Sequence, residues 1–545
     1  MGGERGLTSA AAVGVRQDES LVGIRCKIPR GCGSIWEFPL DPSPDWSSFA
    51  AIVPDQSPTS STEPRGFSAF LGRFTCLKSA PRELWIIFAA YILENVAYKL
   101  SSGSVLPLWL AHELGMSDTH KGLIIGIWGA LMTFFTVLVG SFTDATGIRR
   151  TFLIGFIICM GARIMMLFSA PHFVPLAFGL LPLALGLALM SPVMTAAMKR
   201  YSNAAQRSVA FSLYYALMNL GFAIGDWLFD HFRKIMGEYG SWTMPVFNAN
   251  LSTYQVLILW SVIFTVPGLL LTWFFMREGV EMTEEGVVIT PHEKREHAGV
   301  NPFVSAAKIF RNLWGQTAFY RFLTFMALVI GVRMIFYHLN YTLPDYAIRE
   351  LGKGAPFAQI CNMLNSLLIL VLVPICGALS QKISAYRMVN VGSLVSALSV
   401  FIMVIPPEFF RPMADGWLGH LVVHQWLGVA GPVNPLYLSI FWFTILLSIG
   451  EALWSPRLYE YAAAIAPKGQ EASYMAMSVL PYFFAKLGAG SLSGWLLSEF
   501  CPAEGVRNPA MMWALIGLMA MITPVGTFVF RKYIQVKEDG REDPA

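Results

Sequence analysis

An eleven-residue stretch recurs in degraded form half a chain later, and this duplication limits what the chain can fold into. The first copy reads Gly140-Ser-Phe-Thr-Asp144-Ala-Thr-Gly147-Ile-Arg149-Arg150 and the second Gly377-Ala-Leu-Ser-Gln381-Lys382-Ile-Ser384-Ala-Tyr-Arg387. Each lies between two long apolar segments. A second pair keeps the same spacing of 237 positions: Leu106-Pro107-Leu-Trp-Leu-Ala-His-Glu113-Leu114-Gly115 answers Leu343-Pro344-Asp-Tyr-Ala-Ile-Arg-Glu350-Leu351-Gly352. Two ungapped matches in one register predict two copies of a single membrane-embedded unit, an architecture of transporters.

Composition agrees with a membrane setting. The 545 residues are 55% hydrophobic and only 14% charged, where a soluble chain carries about 25% charged residues. A net charge of +4 is small and points to no nucleic-acid partner. The seven cysteines (26, 32, 76, 159, 361, 376 and 501) have no metal-ligand spacing, and Cys159, Cys361 and Cys376 read as buried free thiols. Neither a P-loop nor an HExxH zinc signature occurs, so neither a metal nor a cofactor is expected, and the sequence shows no ATP engine and no enzyme.

A bilayer span takes about 20 apolar residues. The pattern predicts an all-α polytopic protein with about twelve spans, near 84–110, 120–142, 151–170, 173–197, 207–230, 253–276, 317–342, 357–379, 387–406, 434–463, 472–498 and 509–530. They form two pseudo-symmetric six-helix bundles, 83–277 and 316–532. Residues 1–82, rich in Ser, Pro and Gly, read as a disordered cytoplasmic tail. A linker over 278–315 holds an amphipathic surface helix near 304–313, and 533–545 forms a short tail. Basic residues cluster on one side of such a topology: Lys78 and Arg82, Arg149 and Arg150, Lys199 and Arg200, Lys382 and Arg387, Arg531 and Lys532. Positive residues favour the inside, so both termini are expected to be cytoplasmic. Asn250-Leu-Ser252 falls on the opposite side as a glycosylation acceptor in a eukaryotic secretory membrane.

The stretch Gly140-x-x-x-Asp144-x-x-Gly147-x-Arg149-Arg150 resembles the loop signature of the major facilitator superfamily. The resemblance implies that Gly140, Asp144, Gly147, Arg149 and Arg150 form a conformational latch between the halves. The second copy holds Gln381 and Ser384 where the acid and glycine stand, which implies a weaker latch. A finer resemblance is to the proton-dependent oligopeptide transporter family, carried by Gly450-Glu451-Ala-Leu-Trp-Ser455-Pro456, Ala466-Pro467-Lys468 and Tyr214-Tyr215-x-x-x-Asn219-Leu220-Gly221. It implies a cavity-facing role for Glu451 in binding and gating. The first span departs from that family: Tyr91-Ile-Leu-Glu94-Asn95 keeps one acid and puts Asn95 where an arginine stands. Ser191, in place of a lysine, precedes Pro192. The chain thus reads as a divergent member or a neighbouring branch.

An ionisable side chain at mid-bilayer costs about 2.5–3.5 kcal/mol, so each one inside a span is a candidate for function. Glu451 shares a helix face with Ser455, and Pro456 predicts a broken helix beside it. Glu94, on one face with Tyr98, is either a proton carrier or a fixed partner of Arg333. Arg333 suits a carboxylate, that of a solute or of Glu94. Lys486 either partners Glu451 or snorkels. Tyr215, Asn219 and Asp226 form a polar stripe on the fifth span, with Asp226 a gate or a solvated cap. Asn362 and Asn365 share a face of the eighth, as cavity groups or interhelical glue. His338 reads as a hydrogen-bonded interface residue or a proton relay, Arg163 and Arg457 as structural or substrate-binding, and Lys99 of the first span is a further candidate. The small-residue pairs Gly221/Gly225 and Gly490/Gly494 are expected at the seam between halves. Together these predict a secondary active transporter, functional as a monomer. It moves a zwitterionic or anionic solute with protons; a uniporter, a drug exporter and a non-transporting sensor share the same fold.

Overall fold

In a computed structural model of the protein, residues 74–245, 248–283, 286–289, 311, 313–380, 383–465 and 480–536 are described. The 304–313 helix, most of the N-terminal tail, Gln381, Lys382 and Ala466–Lys468 therefore lie largely or wholly outside them.

Among the described residues stand twelve long helices: α1 Arg82–Ser102, α2 Asp118–Thr146, α3 Ile148–Met165, α4 Leu181–Arg200, α5 Ala204–Met236, α6 Thr253–Phe275, α7 Thr317–Tyr341, α8 Leu364–Leu379, α9 Ala385–Val400, α10 Leu436–Ile465, α11 Leu480–Phe500 and α12 Pro509–Val529. Side chains cap several starts. Asn203 with Gln206, and Ser252 with Gln255, form capping boxes for α5 and α6. Asn508 accepts from Met511 N–H at the start of α12. Eight of these segments are long and apolar enough to cross a membrane on length and composition alone. The exceptions are α2, α3, α4 and α11. In α2 and α11 the composition answers to packing: α2 begins with Asp118 and Lys121, α11 is rich in Gly and Ser, and the two lie along each other.

Helices α1–α6 and α7–α12 make two six-helix halves, and the duplication seen in the sequence is a duplication of shape. Both first helices break at matching places. Pro107 lacks the N–H that would bond the Gly103 carbonyl, so α1 stops at Ser102 and a short helix, Val105–His112, resumes. Pro344 has the same effect on α7, which stops at Tyr341 before the short helix Leu343–Leu351. The second helix of each half then follows, with α8 preceded by a π turn, Gln359–Met363. Further along the register drifts, because 405–435 between α9 and α10 is far longer than the corresponding connection between α3 and α4. Two small antiparallel hairpins, absent from the sequence expectation, complete the described chain. β1 Ser241–Met244 pairs with β2 Ala249–Ser252, and β3 Val280–Thr283 with β4 Gly286–Ile289.

Helix direction alternates, so one face carries the start of α1 and the end of α12. We call it the terminal face, and the opposite one the distal face. The buried apolar clusters differ between them. One cluster joins α1, α2 and α5 to Tyr341, Ala347, Phe357 and Ala358 of the second half, all near the distal face. The cluster under the terminal face of the first half, from Leu77 to Val280, draws only on that half. A third belongs to the second half alone.

Candidate functional site

At the middle of the bundle, α10 presents Glu451 half-buried. Its Oε2 accepts from Asn365 Nδ2 at 3.0 Å, and the same amide bonds Ser448 Oγ at 3.0 Å. The helix does not break here: α10 runs through Pro456, which removes only one backbone bond. The Arg333 guanidinium on α7 lies over the rings of Trp454 (5.0 Å) and Tyr482 (5.6 Å), within electrostatic range of Glu451. From the other half, Tyr215 on α5 reaches Ser455 and the field of both Glu451 and Arg333. Asn219 bonds the Tyr215 carbonyl of its own helix at 2.9 Å. Lys486 on α11 lies half-buried, with its stem over Gly129 of α2. Glu451 thus takes a hydrogen bond from Asn365, and among the described residues Lys486 is not its partner. The arrangement joins an acid, a guanidinium, an amide and a phenol, drawn from both halves.

Glu94 stands elsewhere. Arg163, fully buried on α3, binds it at both oxygens, at 2.6 and 3.2 Å, and also bonds Thr265 (2.5 Å) and Ser101 (3.3 Å). Of the two expectations for Glu94, this corrects the fixed pairing with Arg333. Burying a guanidinium demands that its donors be met, and one carboxylate with two hydroxyls does so here. Tyr98 lies beside Phe222, 6.1 Å between ring centres. Asp226 is no solvated cap: it is buried and paired with Lys99 at 3.0 Å. Asn362 bonds Ser104 of the other half at 3.2 Å. His338 bonds Thr342 at 2.7 Å, and Arg457 bonds Ser380.

Polar bonds between the halves gather toward the distal face. Asp118 meets Arg349 at 2.7 Å and Lys121 meets Asp345 at 2.7 Å. On α5, Asp230 accepts Gln359 N–H at 2.7 Å, Arg233 donates to the Ala355 carbonyl at 3.0 Å, and Lys234 to the Gly428 carbonyl at 2.9 Å. Glu238 accepts Gly354 N–H at 2.8 Å and is bound by Arg233 and Tyr254. Burial pushes the Glu238 carboxyl up, but Arg233, Tyr254 and the Gly354 N–H outweigh it and hold it below the ordinary range. An open vestibule of about 680 Å³, lined in part by Asp118, Asp345, Arg349 and Tyr239, lies on this face.

The glycines divide between two contacts. A Cβ on Gly490 would meet Gly126 N at 2.3 Å, and one on Gly494 the Asp118 carbonyl at 2.3 Å. These two, with Gly122 and Gly126 of α2, form the seam between halves. Gly221 and Gly225 do not: they face Asn95 and Lys99 of α1, within one half. Both pairs permit close approach, but sequence spacing does not tell which neighbour approaches.

On the terminal face, Gly147 takes φ +86° and turns α2 directly into α3. Gly140 and Asp144 lie in the last turns of α2. Arg149 and Arg150 bond Glu278, just past α6, with nitrogen–oxygen distances of 3.1 Å each. Hydrogen bonding from Arg150 holds the Glu278 carboxyl below its ordinary range. Glu278 went unnoticed in the sequence, where an acid after a span carries no signal. Asp230, Arg233 and Glu238 were likewise not assigned to a site, and Lys99 was a candidate without a partner; polar residues one turn apart near the end of α5 were the available hint.

The sequence matches the Major Facilitator Superfamily over residues 84–431. No curated protein matches it. Among solved structures it is similar to a POT family transporter in complex with a thioalcohol-conjugated peptide, at 18% identity, covering 84% of this chain and 97% of that one, with a TM-score of 0.60. It is similar to a POT family transporter with 5-aminolevulinic acid (18%; 84% and 97%; 0.57), and to a mutant peptide transporter POT with alafosfalin (17%; 87% and 96%; 0.59). At these identities the likeness is one of fold. Twelve helices in two repeated halves, with a charged centre between them, thus find their place: the chain belongs to the Major Facilitator Superfamily.

Proposed function

We propose that this membrane transporter moves a small polar or zwitterionic solute, peptide-like or an organic anion, by alternating access driven by protons. One observation carries the reading. Glu451 and Arg333 of one half and Tyr215 of the other converge inside the spans, where charges are costly. An acid suits an ammonium and a guanidinium suits a carboxylate. The small zwitterion-like ligands of the fold relatives, a peptide conjugate and 5-aminolevulinic acid among them, favour the same class.

In this reading the halves span 83–277 and 316–532, joined by a linker, and work as a monomer. Both termini are cytoplasmic, in keeping with the basic residues on the terminal face. The shared distal core and distal bonds then belong to an inward-facing state. Arg149 and Arg150, turned to Glu278 of their own half, are released in that state and latch the halves in the outward-facing one.

The test is uptake into liposomes under an inward proton gradient, screening di- and tripeptides, amino acids and organic anions. Glu451→Gln is expected to abolish uptake of the accepted solute. Unchanged flux in that variant removes Glu451 from the site.

A further inference from the structure

Two carboxylates lie deep in the first half, and they are held differently. Glu94 is bonded at both oxygens by Arg163, and a guanidinium keeps its charge throughout the range proteins meet. Asp226 is 2% exposed, and its counter-charge is a lysine, with a single contact at 3.0 Å. An ammonium on a four-carbon stem can turn away when its partner is neutralised. In the same position the Lys99 ammonium lies 5.2 Å from the centre of the Phe222 ring, a contact that does not depend on the charge of Asp226.

The cover over this pair comes from the other half. Cys361, in the π turn Gln359–Met363, lies in electrostatic range of both Asp226 and Lys99. That turn is pinned across the seam at both ends. Asp230, one helical turn beyond Asp226, accepts Gln359 N–H, and Asn362 bonds Ser104 at the break in α1. The charged and titratable groups facing Asp226 are therefore Lys99 from α1, Cys361 from the π turn before α8, and Asp230 from its own helix. When the halves part on the distal face, the π turn must leave, and water reaches the pair. Closure buries it again. Access to the pair is thus tied to the gate, which a carrier of the driving ion requires.

We propose that Asp226, paired with Lys99, is the proton-binding site of the transport cycle. The inference rests on the proton-driven reading above. With the distal seam open, a hydronium ion gives its proton to a carboxylate oxygen of Asp226 and leaves as water, while the Lys99 side chain retains its ring contact and turns toward water. The neutral acid is reburied on closure. Once solute has left toward the terminal face, the acid gives its proton to water admitted from that side, and the ion pair re-forms. No other reactant is needed.

The proton can be observed without knowing the solute. pH-difference infrared spectra of the full-length protein in liposomes are expected to show a protonated buried carboxylic acid on acidification. That band is lost in Asp226→Asn, and kept in Glu451→Gln and Glu94→Gln. A band that survives in Asp226→Asn, or no band in the wild type, overturns the proposal. Asp226→Glu guards against misfolding, because it should shift the band and keep it. In a second arm, using Ala-Ala as probe, Asp226→Asn loses accumulation driven by the proton gradient but retains exchange of labelled for unlabelled dipeptide. Uphill accumulation in Asp226→Asn with wild-type pH dependence also overturns it. If the wild type moves no dipeptide, the solute reading fails while the infrared arm still decides the proton site.

Discussion

Arg163 and Arg333 are one residue type in two settings. Arg163 is fully buried and bonded by Glu94, Thr265 and Ser101; Arg333 lies over two rings beside Glu451. Removing one partner of a buried ion pair strands the other, at a cost of about 3–5 kcal/mol. Arg163→Met is therefore expected to lower the thermal unfolding midpoint in detergent sharply, and Glu94→Leu with Arg163→Met to recover most of the loss. Equal damage from the single and double variants would mean the pair does more than neutralise itself. The sequence named Glu94, Arg163 and Arg333 as ionisable groups inside spans, because their cost in lipid is local. It offered Arg333 as one possible partner of Glu94, where the structure gives Arg163, because pairing depends on how each helix is rotated about its axis, and no single-helix pattern fixes that. For the same reason it left Lys486 open between pairing with Glu451 and snorkelling.

Among elements, the α2–α11 seam sets how the halves meet. A Cβ on Gly126 would stand 2.6 Å from the Leu487 carbonyl. Gly126→Leu is expected to cost the distal-closed state about 1–3 kcal/mol by overpacking and to lengthen the distance between spin labels at positions 242 and 504. Gly221→Ala, whose Cβ would crowd Asn95 of the same half at 2.7 Å, should lower thermal stability and leave that distance alone. The distal clasp also carries a pH dependence. Glu238 is held below its ordinary value of 4.5 when clasped. Its contribution to closure is complete above that value and is lost as pH falls through the lowered one. Distal spin-label distances should therefore be steady near neutrality and lengthen below the ordinary carboxylate range. Glu238→Gln should show the lengthened distance at neutral pH, with less further change on acidification. Here the sequence was legible in part. Glycines four apart marked close helix contacts, and Pro107 and Pro344 stood in the repeat. The breaks they impose on α1 and α7 went unread, while Pro456, which was read as a break, sits in a continuous helix. A proline's effect depends on whether the turn around it is otherwise supported.

For the whole molecule, the strongest signal was the oldest one: a repeat at one spacing predicts one unit twice, and the matched breaks in α1 and α7 repeat it in shape. Spans and halves were legible because bilayer thickness imposes a length on every helix. Which face is closed was not, since it arises from contacts such as Asp118–Arg349 and Asp230–Gln359 between residues far apart in the chain. Alternating access requires the two faces to open in opposition. The direct measurement is a pair of spin-label distances in liposomes, one across the distal face (positions 242 and 504) and one across the terminal face (positions 199 and 531), with and without a proton gradient and accepted solute. The account predicts reciprocal change, with the distal distance lengthening as the terminal one shortens. Distances that stay fixed on both faces, or lengthen together, would contradict it.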